Sequence, residues 1–249
     1  MPALFMQPGK TRILFIAEAV TLAHVARPVT LAQALDPQHF DVHLAHHPRY
    51  RELLGALNLT EHEIYSIPPQ QFIQALASGK PLYDDATLRA YVEEDLQLLA
   101  AVQPDIVVGD FRPSLAVSAE MTGVPYVALS NAYWSPYCQQ RYTVPELPMT
   151  RVLGPTIGQM VFSLARPWVF ALHCLPMHRL RRRYGLTSLG FDLREVYTRA
   201  DYTLYADIPD LYRMQNRPRH HRFIGPVVWS PRFPHPPWWQ EVPQGRPIV

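Results

Sequence analysis

The sequence predicts an α/β protein built on a parallel sheet that is wrapped by helices. Short apolar runs bounded by turns are typical of strands that are buried on both faces. Segments with apolar residues three and four positions apart lie between these runs and are typical of helices. With 48% hydrophobic residues in 249, the chain can bury the core of one domain.

The predicted elements alternate along the chain. Strands are expected over residues 13–17, 40–45, 63–67, 106–109, 126–130, 202–206 and 222–224. Helices are expected over residues 25–35, 50–57, 82–102, 113–122 and 192–200. Pro28 is expected in the first turn of its helix and Pro113 at a first helical position, where a missing N–H costs little. Gly123 suits the left-handed residue after a helix.

One histidine stands where the first strand passes into the first helix. His24 follows the strand 13–17 through a short turn, so it lies at the sheet edge where open α/β folds place ligands. The positive end of the helix dipole disfavours an imidazolium there, which helps to keep the ring neutral and able to accept a proton. His24 is therefore either a general base or a residue that simply begins the helix.

Asp110 comes directly after the strand 106–109, just as His24 comes after the strand 13–17. In a doubly wound sheet of order 3-2-1-4-5, strands 1 and 4 are neighbours at the point where the strand order reverses. If residues 106–109 form the fourth strand, His24 and Asp110 face each other over one crevice. The alternative is that Asp110 merely caps the helix that follows it.

The segments 12–35 and 103–130 resemble the N-terminal half of GT-B glycosyltransferases, in which two Rossmann-like domains face each other. They are most similar to the UDP-glycosyltransferase and glucuronosyltransferase family. In that family a Gly-His pair opens the first helix, the histidine deprotonates the acceptor hydroxyl, and an aspartate stabilises it. Ala23 stands here in place of the glycine. The resemblance implies a Rossmann-like sheet with helices on both faces, and His24 and Asp110 as catalytic residues.

The resemblance also implies a domain boundary. Gly225 and Pro226 resemble the pair that ends the family's N-terminal domain, so we expect residues 1–226 to form the acceptor-binding domain. Residues 227–249 are expected to be a proline-rich interdomain linker and, from Gly245, the truncated start of a donor-binding domain. That domain holds most of the nucleotide-sugar in the family. We therefore expect a nucleotide-sugar as co-substrate, no cofactor, and a C-terminal donor-domain chain as a partner.

Eight further residues are candidates for acceptor contact because they lie near the same crevice. Tyr133 and Trp134 follow the strand 126–130, and they either stack on a hydrophobic acceptor or pack their loop onto the domain. Arg27 either meets an acidic acceptor or the donor phosphates, or is solvated. The complete set is Glu18, Thr21, Arg27, Phe111, Arg112, Asn131, Tyr133 and Trp134.

Residues 157–177 form an apolar stretch that is long enough to span a membrane. Arg166 near its centre costs about 2.5–3.5 kcal/mol on insertion scales. The basic residues at 179–183 suit anionic lipid head groups instead. The two alternatives are peripheral membrane contact through residues 157–183, and a kinked, largely buried helix that ends in a solvated basic turn.

Several other classes of protein are excluded by missing patterns. A net charge of +2 gives no nucleic-acid footprint. The first turn lacks G-x-G-x-x-G, and neither a phosphate loop nor G-x-S-x-G occurs. The 11 histidines lack zinc-type spacing, so no metal is expected. Residues 1–10 do not resemble a signal peptide and the two cysteines form no motif, so we expect a cytoplasmic protein that can lie on the inner face of the membrane.

Two functions fit these patterns. The first is the base-supplying half of a glycosyltransferase that moves a sugar from a nucleotide-sugar to a hydroxyl of a small or lipophilic acceptor. The alternative is a non-catalytic Rossmann-like binding module, or an inactive fragment that lacks the donor domain. Substitution of His24 separates them, because only the enzyme needs its proton chemistry.

Overall fold

A computed structural model describes residues 9–146, 148–231 and 236–242 of the chain. Within them, seven parallel strands form one sheet of order β3-β2-β1-β4-β5-β6-β7. The strands are β1 (Thr11–Ala17), β2 (Phe40–His46), β3 (Thr60–Glu63), β4 (Ile106–Asp110), β5 (Tyr126–Ser130), β6 (Tyr202–Tyr205) and β7 (His221–Phe223). The helices are α1 (Ala23–Gln33), α2 (Arg51–Leu54), α3 (Pro69–Ser78), α4 (Asp85–Val102), α5 (Leu115–Thr122), α6 (Pro148–Arg183) and α7 (Leu193–Thr198).

β1 shows why the sheet is covered on both faces. Leu14 and Ile16 are buried in one apolar cluster, which α4 and α5 complete. Ile13 and Phe15 point the other way and are buried in a second cluster, to which α1 contributes Val25. A strand whose alternate side chains are all apolar must be covered on both sides. The predicted class, a Rossmann-like parallel sheet with helices on both faces, is confirmed.

Three predicted elements differ from the structure. β3 lies at Thr60–Glu63 rather than 63–67, because the apolar residues Ile64 and Ile67 pack into the core after the paired stretch has ended. The helix predicted over 50–57 is only the single turn α2, which stops at Gly55 with a φ of 69°. Helix α3 was not predicted, although proline suits the first helical position that Pro69 occupies.

Both prolines expected at helix starts lie elsewhere. Pro28 is the sixth residue of α1, so the carbonyl of His24 lacks the N–H donor four residues later. The buried residues Val25 and Val29 hold α1 on the sheet across this gap. Pro113 lies two residues before α5 rather than at its first position. Gly123 does take the left-handed conformation after α5, as predicted, with a φ of 69°.

α6 differs from the buried helix that was one alternative. It runs from Pro148 to Arg183 with a break at Gly154, where φ is 73° and ψ is 167°. Only 17% of its most apolar 18-residue window is buried, and by length and composition alone it could cross a membrane. The expected solvated basic turn at 179–183 is also only partly solvated, because Arg181 is buried.

Part of the predicted linker 227–249 is described. Residues 227–231 carry no regular element, and Pro237–Glu241 forms a short 3-10 turn. Residues 232–235 lie outside the described residues, as does the predicted start of a donor-binding domain from Gly245 onward.

Gly109 allows β4 to lie close to α5 and β5. A Cβ at this position would overlap Cδ1 of Leu115 and lie 3.1 Å from Cε2 of Tyr126. Both neighbours are buried in the cluster between the sheet and α5. The residue before Asp110 therefore has no room for a side chain.

We expect Gly109→Ala to lower the free energy of unfolding by about 1–3 kcal/mol, because close-packed neighbours must move. Urea unfolding of the full chain measures this. Gly158→Ala is the matched control, since its Cβ would meet Thr150 at an ordinary 3.5 Å and alanine favours helix. Wild-type stability in Gly109→Ala would contradict the packing.

Candidate active site

Two neighbouring strands bring the site residues to one edge of the sheet. β1 and β4 pair in register from Ile13 opposite Ile106 to Ala17 opposite Asp110. The backbone N–H of Glu18 donates to the carbonyl of Asp110 at 3.1 Å, so this ladder continues one residue past β1. The chain then turns into α1, whose second residue is His24. The end of β4 and the start of α1 therefore meet.

His24 and Asp110 form a hydrogen-bonded pair. Nδ1 of His24 lies 2.8 Å from Oδ1 of Asp110. The Asp110 side chain is fully buried, whereas that of His24 is 19% exposed. An ionised carboxylate only accepts, so Nδ1 donates and the Nε2 lone pair is left free to accept a proton. The strand order predicted this pairing. The alternative, that Asp110 caps the helix after it, does not hold, because no side chain caps the start of α5.

Arg27 holds the other side of the Asp110 carboxylate. Its Nε donates to Oδ2 at 2.6 Å and its Nη2 donates to Oδ1 at 2.7 Å, which is a bidentate ion pair. Burial raises the pKa of Asp110, but the hydrogen bonds from Arg27 and His24 outweigh it and hold that pKa below its ordinary value. Asp110 is therefore ionised at neutral pH.

Further hydrogen bonds connect Arg27 to Asn131, and Asn131 to Asp207. Nη1 of Arg27 donates to Oδ1 of Asn131 at 3.1 Å, and Nδ2 of Asn131 donates to Asp207 at 3.5 Å. The backbone N–H of Ala132 also donates to Asp207, at 2.6 Å. Neither Arg27 nor Asn131 lines the cavity beside His24. Their side chains bond to the Asp110 carboxylate and to the loop after β5.

Phe111 supports the imidazole from its face. Its φ of 55° lies in the left-handed region, which is uncommon for a bulky residue and is found at functional sites. Its ring stacks on His24 with centroids 4.5 Å apart, and on Tyr197 with centroids 4.8 Å apart. Asp110 fixes the imidazole at its edge while Phe111 fixes its plane.

A cavity of about 330 Å³ opens beside this stack, with His24 in its wall. Its lining is mostly apolar and aromatic, as is typical of sites for small molecules. Of the candidate acceptor residues, Phe111, Tyr133 and Trp134 line it. The other walls come from distant elements and include residues that were not candidates from the sequence, namely Phe72, Tyr83, His173, Met177, Val196 and Tyr197.

Comparisons with known proteins find similarity to glycosyltransferases. No protein-family model matches the chain. Over 240 residues, or 96% of its length, it is 50% identical to a PGL/p-HBAD biosynthesis rhamnosyltransferase from Mycobacterium tuberculosis. Over the same span it is 47% identical to an inactive PGL/p-HBAD biosynthesis glycosyltransferase from Mycobacterium bovis. It covers 53% of the first relative and 66% of the second, so it spans about half the length of the rhamnosyltransferase.

Solved structures show the same fold. The spinosyn forosaminyltransferase SpnP matches 94% of this chain and 56% of its own at a TM-score of 0.53 and 19% identity. The glycosyltransferase SnogD from Streptomyces nogalater matches 92% and 54% at a TM-score of 0.53 and 18% identity. The chain has the fold of the GT-B glycosyltransferases. It corresponds to their N-terminal half, as the segments around His24 and Asp110 predicted.

In this GT-B domain, Glu18 and Arg112 lie beneath the site. Both are fully buried, with 3.1 Å between Oε2 of Glu18 and Nη1 of Arg112. Arg112 also lies 3.0 Å from Asp95 and 2.7 Å from Glu94, and its guanidinium stacks on the Tyr91 ring at 3.7 Å. A buried ion network therefore holds both Glu18 and Arg112, and neither lines the cavity beside His24.

Thr21 and the two histidines His43 and His62 take no part in the cavity. Thr21 is partly exposed in the turn before α1 and does not line the cavity. Nδ1 of His43 lies 2.8 Å from Nε2 of His62, where β2 pairs with the edge strand β3. Among residues 9–146, 148–231 and 236–242, no group of three or more metal-binding side chains is arranged to hold an ion.

We expect Asp110→Asn to lower the free energy of unfolding at pH 7 by about 2–4 kcal/mol, because the buried Arg27 loses its counter-charge. The folded pKa of Asp110 lies below its unfolded value. Its contribution is therefore present above about pH 4 and is lost as the pH falls through the folded pKa. Urea unfolding from pH 7 to pH 3 should show the gap between wild type and variant narrowing in acid.

Glu93→Gln is the control for this experiment. Its carboxylate is 60% exposed and lies 3.8 Å from Arg89, so we expect a change below about 1 kcal/mol. A gap between wild type and Asp110→Asn that stays constant with pH would contradict an ionised Asp110.

Proposed function

We propose that this chain is the acceptor-binding, base-supplying half of a glycosyltransferase that moves a sugar from a nucleotide-sugar to a hydroxyl of a small or lipophilic acceptor. One observation carries the proposal: the buried Asp110 carboxylate orients a partly exposed His24 in the wall of an apolar cavity. Relatives named rhamnosyltransferase and glycosyltransferase, aligned over 96% of the chain, support it.

The proposed reaction is a single displacement. The acceptor hydroxyl donates to Nε2 of His24, and the proton moves there as the hydroxyl oxygen bonds to the anomeric carbon. The bond from that carbon to the diphosphate oxygen breaks, and the nucleoside diphosphate leaves with the electron pair. Asp110 stabilises the imidazolium that forms. Base catalysis of this kind contributes about 10²–10⁴-fold.

The cavity favours an acceptor with an aromatic or lipophilic body. Phe111, Trp134 and Tyr197 present ring faces and edges, with 5.4 Å between the centroids of Trp134 and Tyr197. Such walls suit a flat ring whose hydroxyl reaches His24. The relatives' names assign them to PGL/p-HBAD biosynthesis, so the acceptors of those relatives are the first to test.

On this proposal, the nucleotide-sugar donor binds to a second domain. The chain spans 53% of the rhamnosyltransferase relative, so we place the nucleotide-sugar site, with a UDP-sugar as the first donor to test, on the part outside these 249 residues. That part lies either on a longer form of the protein or on a separate chain. We place the reaction in the cytoplasm, at a membrane surface reached by residues 157–183.

One observation favours a second candidate function. The Mycobacterium bovis relative, 47% identical, is named inactive. A binding module that keeps the cavity without turnover is therefore the alternative. It would bind acceptors and be indifferent to the proton chemistry of His24.

We expect glycosyl transfer when the chain is mixed with the C-terminal domain of the rhamnosyltransferase relative, and none from either part alone. His24→Ala should lower kcat by about 10²–10⁴-fold and raise the acceptor KM by no more than about 2–10-fold, because it removes the base and its hydrogen bond to the acceptor but leaves the cavity. His39→Ala is the control, since that ring is 74% exposed and lies outside the cavity. Full turnover in His24→Ala would refute the assigned base.

Acceptor binding is a separate prediction that needs no donor domain. We expect 4-nonylphenol to bind about 2–10-fold more tightly than its methyl ether, because only the phenol donates a hydrogen bond to His24. Calorimetric titration of the full chain measures both. His24→Ala should bind the two ligands equally well. Binding that ignores both the hydroxyl and His24 would place the acceptor elsewhere.

A further inference from the structure

α6 carries an apolar stripe that faces away from the domain. We define the α6 stripe as Ile157, Met160, Leu164, Trp168 and Leu172, which are 50%, 61%, 73%, 77% and 59% exposed. Their spacing of three or four residues puts them on one face of the helix. At 1.5 Å per residue, the stripe is about 22 Å long.

The same face becomes basic toward the end of α6. Arg179 and Arg183 continue the helical spacing, Arg182 lies beside them, and all three are exposed. Residues 149–183 contain six arginines and neither aspartate nor glutamate. Arg179 lies 3.3 Å from Asp85. Arg182 and Arg183 pair with no carboxylate among the described residues. An apolar strip that ends in positive charge complements an anionic amphiphilic surface.

The opposite side of α6 is fixed to the domain. Cys174, Met177 and Leu180 are buried in an apolar cluster with residues of α4 and α7. The buried Arg181 bonds to Glu120 on α5 at 2.7 Å. These contacts anchor the end of α6, from Cys174 to Arg181, which favours a helix that lies on a bilayer over one that crosses it.

Arg166 does not interrupt the stripe. It is two residues from both Leu164 and Trp168, which puts it on the other side of the helix. Its guanidinium stacks on the Tyr142 ring at 4.7 Å. The charge that argues against a spanning helix is therefore turned away from the exposed face.

We propose that the α6 stripe docks on an anionic lipid bilayer, with its apolar side chains at the acyl boundary and Arg179, Arg182 and Arg183 against lipid phosphates. Charge complementarity and the lack of acidic residues over 149–183 favour lipid as the occupant. The helix lies in the plane of the interface, as amphipathic membrane-surface helices do.

Docking would bring the cavity beside the membrane. His173, Pro176 and Met177 follow directly after the stripe on α6 and line the cavity. Leu76 of α3, 54% exposed, also lines it. A lipophilic acceptor would then reach His24 with its tail still in the bilayer. This consequence rests on the proposed function, whereas docking itself does not.

Vesicle co-sedimentation of the full chain tests the docking surface. We expect wild type to bind vesicles of phosphatidylcholine with 30% phosphatidylglycerol, and to bind pure phosphatidylcholine at least ten-fold more weakly. Arg182→Gln with Arg183→Gln should weaken binding to the anionic vesicles by about 10–30-fold, at roughly five-fold for each arginine. Leu164→Ser with Trp168→Ser should weaken binding to both kinds of vesicle.

Matched controls change similar residues elsewhere on the surface. Leu211→Ser removes a leucine that is 70% exposed, and Arg219→Gln with Arg222→Gln removes two exposed arginines. We expect both controls to bind vesicles as wild type does. Acyl-brominated lipids should quench the fluorescence of Trp168, and Trp168→Phe should lose that part of the quenching.

Three outcomes would overturn the proposal. The first is that wild type does not bind anionic vesicles. The second is that the stripe variants and the controls lose vesicle binding equally. The third is that vesicle binding is absent and the protein forms a dimer in solution, which Leu164→Ser with Trp168→Ser dissociates. The last result would make the stripe an interface between two copies. None of these measurements needs donor or turnover, so failure of the membrane proposal leaves the glycosyltransferase proposal standing, and the reverse also holds.

Discussion

The parallel pairing of β1 with β4 is the constraint on which the candidate site depends. Because the two strands end side by side, at Ala17 and Asp110, the residues after them must share one crevice. The bond from the Glu18 N–H to the Asp110 carbonyl extends the ladder and sets the turn into α1. A slip of one residue in this register would turn Asp110 toward the opposite face of the sheet and leave His24 without its partner.

Three consecutive residues, the last of β4 and the two that follow it, perform three different tasks. Asp110 holds His24 and Arg27, Phe111 stacks on the imidazole, and Arg112 enters the buried ion network. The left-handed backbone of Phe111 is the turn between the two charged neighbours. Burial raises the pKa of Glu18 even though Arg112 opposes it, so this network is better understood as fixing the loop in one conformation than as a source of net stability.

The sequence predicted what depends on local pattern. Strand periodicity predicted the strands. The order 3-2-1-4-5 of a doubly wound sheet then predicted the meeting of His24 with Asp110, because parallel strands align their carboxyl ends. The sequence did not predict that Arg27 and Arg112 both lie outside the cavity. Arg112 pairs with Glu18, 94 positions away, and this contact exists only after folding. No individual wall residue from α3, α6 or α7 was identified, for the same reason. Only Phe72 had a local signal, in the helical spacing that follows Pro69.

The most direct test of the account is the tautomer of His24 in the full chain, read from its imidazole ¹⁵N chemical shifts at a pH where the ring is neutral. The account predicts a proton on Nδ1, donated to Asp110, and an unprotonated Nε2 in the cavity wall. Asp110→Ala should shift the population toward the other tautomer. A proton on Nε2 in the wild-type protein would contradict the account, because the nitrogen that must accept the acceptor's proton would already carry one.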